Sequence, residues 1–172
     1  MEKRTIEEQI TIARSSESTI QELAEMSKST NEEVRAGVAM NPNTSKDTIL
    51  SMCDDPSENV RIFLATRSDV KHISDVLTID KSEAVRDALA KNSSTPSYNL
   101  ETLAKDRSKM VRTDVRYNPN TPNAVREQLE KKMAREENNI FNSDHIKNVL
   151  KEKDGNTHDP QNQDRQINFT ER

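Results

Sequence analysis

Cysteine occurs once in this chain of 172 residues, tryptophan not at all, and glycine twice. Each shortage excludes something. A lone Cys53 allows no intrachain disulfide and fits a reducing, cytoplasmic setting. With only Gly37 and Gly155, no glycine-rich loop can cradle a phosphate. Aromatic residues are 3% of the chain, too few for a thick globular core or for stacking platforms under nucleic-acid bases. No apolar run approaches the roughly 18 residues of a membrane span, and the opening Met1-Glu2-Lys3-Arg4 does not read as a secretory signal. The three histidines, His72, His145 and His158, stand in unrelated segments, so neither a metal site nor a Ser-His-Asp grouping can be assembled. The expectation is a non-enzymatic protein with no catalytic residue, no metal and no cofactor.

What the chain does have is charge and period. Charged residues reach 33%, which alone would suggest disorder, and the net charge of −4 names no partner class. The charge is uneven. Glu7, Glu8, Glu17, Glu22, Glu25, Glu32 and Glu33 crowd the start, whereas Lys105, Arg107, Lys109, Arg112 and Arg116 gather later. Aliphatic residues, meanwhile, recur on a fixed spacing. Val34-Arg35, Val60-Arg61, Val85-Arg86 and Val111-Arg112 are 26, 25 and 26 residues apart. Four positions after each Val comes Val38, Leu64, Leu89 or Val115, which puts one apolar stripe on one face of a helix. Ala39, Ala65 and Ala90 come next and suggest close helix–helix approach. A turn follows at Asn41-Pro42-Asn43-Thr44 and its counterparts, ending at Val70, Thr95 and Thr121. A second, shorter helical piece is carried by Ile20, Leu23 and Met26; Ile49 and Met52; Ile73, Val76 and Leu77; and Leu100 and Leu103.

Periods of this length imply units that cannot bury their apolar faces alone and must stack. The fold expected is therefore all-α: a solenoid of about four 25–26-residue repeats with capping half repeats. Residues 1–137 form the solenoid, with 1–18 as N-terminal cap, 19–122 as repeats and 123–137 as C-terminal cap helix. At the start, Glu8 and Gln9 stand where later units have Val-Arg, as a polar outer face requires. A short amphipathic helix is expected at 138–155, with Ser143 as its N-cap and Ile146, Val149 and Leu150 as its stripe. Residues 156–172 read as a disordered polar tail, with Ile167 and Phe169 as its apolar anchors.

The run Val-Arg-x-x-Val-Ala-x-Asn-Pro-Asn-Thr at 34–44 resembles the leucine-rich repeat variant family, a relative of HEAT-like helical repeats. Val111-Arg112 and Asn118-Pro119-Asn120-Thr121-Pro122 carry the same likeness, which covers residues 15–133. The resemblance implies a right-handed α-solenoid that alternates a longer helix with a short one. Some members carry an iron–sulfur cluster on an N-terminal cysteine-rich segment; this chain has no such cysteines, so that property does not carry over. Fold is implied better than function.

Arg35, Arg61, Arg86 and Arg112 would align along such a stack. A row of guanidiniums could meet phosphates. Asp55, Asp80 and Asp106 recur with the same period, however, which favours an internal structural ladder. The candidate partner surface lies outside that row: Met40, Ile62, Phe63, Arg67, Lys105, Arg107, Lys109, Arg116 and Tyr117. The expected function is protein–protein interaction or scaffolding through a helical-repeat surface. The alternative is nucleic-acid binding along the basic fourth repeat, weakened by the acids that interrupt it and by the scarcity of aromatics. The oligomeric state is left open.

Overall fold

The structure, a computed structural model, describes residues 4–155. These residues form ten α-helices and one 3-10 turn, with no strand among them. The helices are α1 (Ile6–Arg14), α2 (Ile20–Met26), α3 (Glu32–Met40), α4 (Lys46–Ser51), α5 (Glu58–Ala65), α6 (Ser74–Thr78), α7 (Glu83–Lys91), α8 (Ser97–Leu103), α9 (Lys109–Tyr117) and α10 (Asn123–Gly155). The chain divides into two compact units, Met1–Glu130 and Lys131–Arg172, with the division inside α10.

Local chemistry sets the helix bounds. Thr5 with Glu8 and Thr19 with Glu22 form reciprocal capping boxes at α1 and α2. Asn31, Ser57, Ser82 and Ser108 cap α3, α5, α7 and α9, each accepting from backbone N–H groups of the first turn. Asn41 and Asn118 stop α3 and α9 in extended conformation, as residues preceding Pro42 and Pro119 are forced to do.

In the first unit α1 packs on α3, α3 on α5, α5 on α7 and α7 on α9, so the odd-numbered helices form one layer in chain order. Val34, Val38, Val60, Leu64, Val85, Leu89, Val111 and Val115 are fully buried along it, as are Ala39, Ala65 and Ala90. The shorter helices add Leu23, Ile49, Met52, Ile73, Leu77, Leu100 and Leu103 to the same core. Gly37 marks a close approach: a Cβ there would stand 2.9 Å from the Cβ of Ala13 on α1.

The unit that is one residue short absorbs the deletion locally. A 3-10 turn at Val70–His72 leads into α6, which has five residues where α2 and α8 have seven. A 3-10 turn rises about 2.0 Å per residue against about 1.5 Å in an α-helix, so fewer residues cover the same span.

One expected boundary is absent. α10 runs unbroken from Asn123 to Gly155, so no new helix begins near 138 and Ser143 lies in a helix interior. Residues 130–146 contain neither Pro nor Gly, and Glu, Lys, Arg, Ala and Met sustain the helix. In the second unit Ile140, Phe141 and Ile146 are exposed. The tail at 156–172, with Ile167 and Phe169, lies outside the described residues, as do the side chains of Val149 and Leu150. Among the described residues no helix is long and apolar enough to cross a membrane.

Candidate functional site

The arginine row points into the protein. Arg35 donates from Nε and Nη2 to both oxygens of Asp55 at 2.7 and 3.0 Å, a bidentate pair between consecutive units. Arg61 grips Asp80 at 2.8 and 3.2 Å, and Arg86 grips Asp106 at 2.6 and 3.1 Å. Nη1 of each arginine turns back to a carbonyl six residues earlier, at Ser29, Asp55 and Asp80. Arg112 is buried and makes the matching bond to the Asp106 carbonyl. The bond to aspartate raises the pKa of Arg35, Arg61 and Arg86 against the opposing effect of burial. Burial pushes the Asp106 carboxyl up, but the bonds from Arg86 and the Ser108 N–H outweigh it and hold the group below its ordinary value. At the N-terminal end Gln9 and Ser29 occupy the equivalent positions and make a neutral side-chain bond at 2.9 Å. The row begins uncharged and then becomes ionic.

A second row runs beside it. The Asn41 side-chain amide donates to the carbonyls of Ala13 and Ser15 at 2.9 and 2.8 Å. Asn92 does the same to Ala65 and Arg67, and Asn118 to Ala90 and Asn92. Arg67 stands at the missing position. Its Nη1 donates to the carbonyls of Ala39 and Asn41 at 2.7 and 2.9 Å, while Nε and Nη2 hold Asp69. Arg67 therefore does not belong to a partner surface: its side chain is 8% exposed. Arg126 on α10 closes the row, donating to the carbonyls of Arg116 and Asn118. Ser18, Thr44, Thr95 and Thr121 form a third row, each hydroxyl donating to a carbonyl six residues earlier, and Val70 interrupts it.

The remaining candidates fall into two places. Met40 and Tyr117 are exposed at the C-terminal ends of α3 and α9. Helical spacing puts Met110, Asp114 and Tyr117 on one side of α9, and Glu33, Gly37 and Met40 on the corresponding side of α3, where Gly37 is buried against Ala13 of α1 and only the ends are exposed. Phe63 and Ile62 are half-buried and pack on the core between them in chain order. The Arg116 guanidinium lies 5.1 Å from the Tyr117 ring centroid and also bonds Glu130 at 3.3 Å. Lys109 is exposed at the other end of α9, about 12 Å from Tyr117 by helix rise, and Lys105 and Arg107 are exposed in the turn before it. The basic cluster expected from the sequence is thus divided, with Arg112 buried and Arg116 engaged by Glu130.

Cys53 is buried, and burial followed by the charges of Asp54 and Asp80 pushes its thiol up to about 11, so it carries little thiolate at neutral pH. Among the described residues no group of three or more His, Cys, Asp or Glu side chains is arranged to hold a metal. Sequence reasoning missed the amide row and its closure by Arg126. The signal was present in Asn41, Asn92 and Asn118, but asparagine before a turn reads equally well as local capping. It also missed Asp87 and Asp114, which follow no period. Comparison with family models, with curated proteins and with solved structures finds no match to this chain.

Proposed function

We propose that the chain is an α-solenoid of the leucine-rich repeat variant type, acting as a non-enzymatic protein-interaction module. The partner meets the face of the odd-numbered helices that carries Met40, Met110 and Tyr117. The observation that carries this reading is the division of labour among side chains. The recurrent arginines, asparagines and threonines are engaged in hydrogen bonds between or within units. Met40, Met110 and Tyr117 are instead 47, 50 and 69% exposed. Exposed Met and Tyr on rigid helices offer adaptable and low-entropy contact area, and a stack that is already ordered loses little conformational entropy on binding. A single buried cysteine suits a cytoplasmic setting.

Partner capture from the native cell with two variants tests the reading. Met40→Glu with Tyr117→Glu removes the apolar face; Ile20→Glu with Ile79→Glu removes still more exposed apolar residues from α2 and the end of α6. The first is expected to lose the partner and the second to keep it. Capture that survives the first variant overturns the assignment of the face. Retention of nucleic acid at low salt, falling steeply as salt rises, would favour the basic cluster instead.

A further inference from the structure

Asp87 on α7 and Asp114 on α9 face one another with a single lysine between them. Lys91 Nζ donates to Asp87 Oδ2 at 2.5 Å and stands 3.7 Å from Asp114 Oδ2. Asp87 is 8% exposed, and its other oxygen, Oδ1, is buried without a donor. Asp114, with a side chain 21% exposed, is joined to Asp87 through the same ammonium group, which lies within 4 Å of both carboxylates. Two ionised carboxylates at that distance repel, and one ammonium group cannot neutralise both. A buried acceptor left without a donor is itself costly. A proton on Asp114 relieves the repulsion and supplies a donor to the Asp87 carboxylate, which has one oxygen left without a partner.

We propose that Asp87 and Asp114 share a proton as a carboxyl–carboxylate pair that ties α7 to α9, and that losing this proton on approach to neutral pH loosens the joint. The other charged groups around α9 do not substitute for it. On α7, Arg86 is engaged by Asp106, and α8 carries only the exposed Glu101. On α10, Glu130 bonds Arg116 and Arg126 bonds backbone carbonyls. Burial, and then the bond and charge of Asp87, push the Asp114 carboxyl up to about 6, with Lys91 pulling it down. The sign follows from that direction. The folded protein holds the proton more tightly than the unfolded chain, so the stabilisation is present in acid and is lost as pH rises through about 6. Asp114 lies between Met110 and Tyr117 in the helical spacing of α9.

Carboxyl-carbon NMR titration of the full chain tests this without any partner. Asp114 is expected to titrate near 6, about a hundredfold tighter for protons than an ordinary aspartate. Lys91→Met should move that midpoint upward, and Asp87→Asn should bring it down toward the ordinary range. In thermal unfolding, Asp114→Asn, whose amide donates without titrating, should raise the melting temperature at pH 7.5 and by less at pH 5, inside the window between the unfolded and folded values of Asp114. An Asp114 midpoint near 4 in the unaltered protein overturns the proposal. So does a midpoint that Asp87→Asn leaves where it was, because burial alone would then account for it. A melting difference between Asp114→Asn and the unaltered protein that is the same at both pH values also counts against the shared proton.

Discussion

At position 67 an arginine does the work that asparagine does at 41, 92 and 118, because its guanidinium reaches the same pair of backbone carbonyls. Substitution should follow geometry rather than charge. Arg67→Asn restores the recurrent amide and is expected to cost less than about 1 kcal/mol in urea unfolding. Arg67→Ala leaves the carbonyls of Ala39 and Asn41 without their donor and should cost about 2–3 kcal/mol. Arg67 also lowers the Asp69 carboxyl pKa through their hydrogen bond. That contribution is present above the ordinary carboxylate range and is lost as pH falls through the depressed value, so Arg67→Ala should weaken the acid-side loss of stability. Gly37 makes an independent prediction: Gly37→Val forces a Cβ to 2.9 Å from that of Ala13 and should lower the melting temperature by separating α1 from α3. Residues that repeat in type, such as Val-Arg and the partner aspartates, were legible in the sequence. Arg67 was not, because the row it joins is defined by a shared reach to carbonyls and not by residue type.

Among the elements, α3, α5, α7 and α9 were legible because a Val and a Val or Leu recur in each at four-residue spacing and are buried. The short α6 was harder: Ile73 and Leu77 are buried, but Val76 is 38% exposed and a 3-10 turn precedes it. The helix break expected near 138 misjudged capping, since Ser143 can cap a helix only where something stops the one before it, and nothing there does. Backbone chemical shifts of residues 134–146 should therefore be helical throughout; coil values near 138 would restore the two-helix reading. The threonine row offers a milder test. Val70 already stands at the position of Thr44, Thr95 and Thr121, so Thr95→Val should be accommodated in shape. It loses only the bond to the Leu89 carbonyl, at a cost of about 1 kcal/mol in denaturant unfolding.

Across the first unit, three rows of hydrogen bonds run with the period of the sequence, and two of them join neighbouring units. The ionic row opens on a neutral Gln9–Ser29 pair, and the amide row closes on Arg126 from α10. Such rows explain how a chain that is 31% hydrophobic can hold successive helices in register: directional polar bonds supplement a thin aliphatic core. They also remove from the surface the arginines that a sequence alone would offer to a phosphate backbone. The claim that these residues join units internally is tested most directly by a double-mutant cycle on Arg61 and Asp80, whose side chains are 4 and 7% exposed. Arg61→Leu and Asp80→Leu should each lose about 3–5 kcal/mol in urea unfolding, because each leaves a buried charge alone. The double variant should lose little more than either, giving a coupling on the order of 3 kcal/mol. Losses that simply add, with no coupling, would contradict an internal ladder.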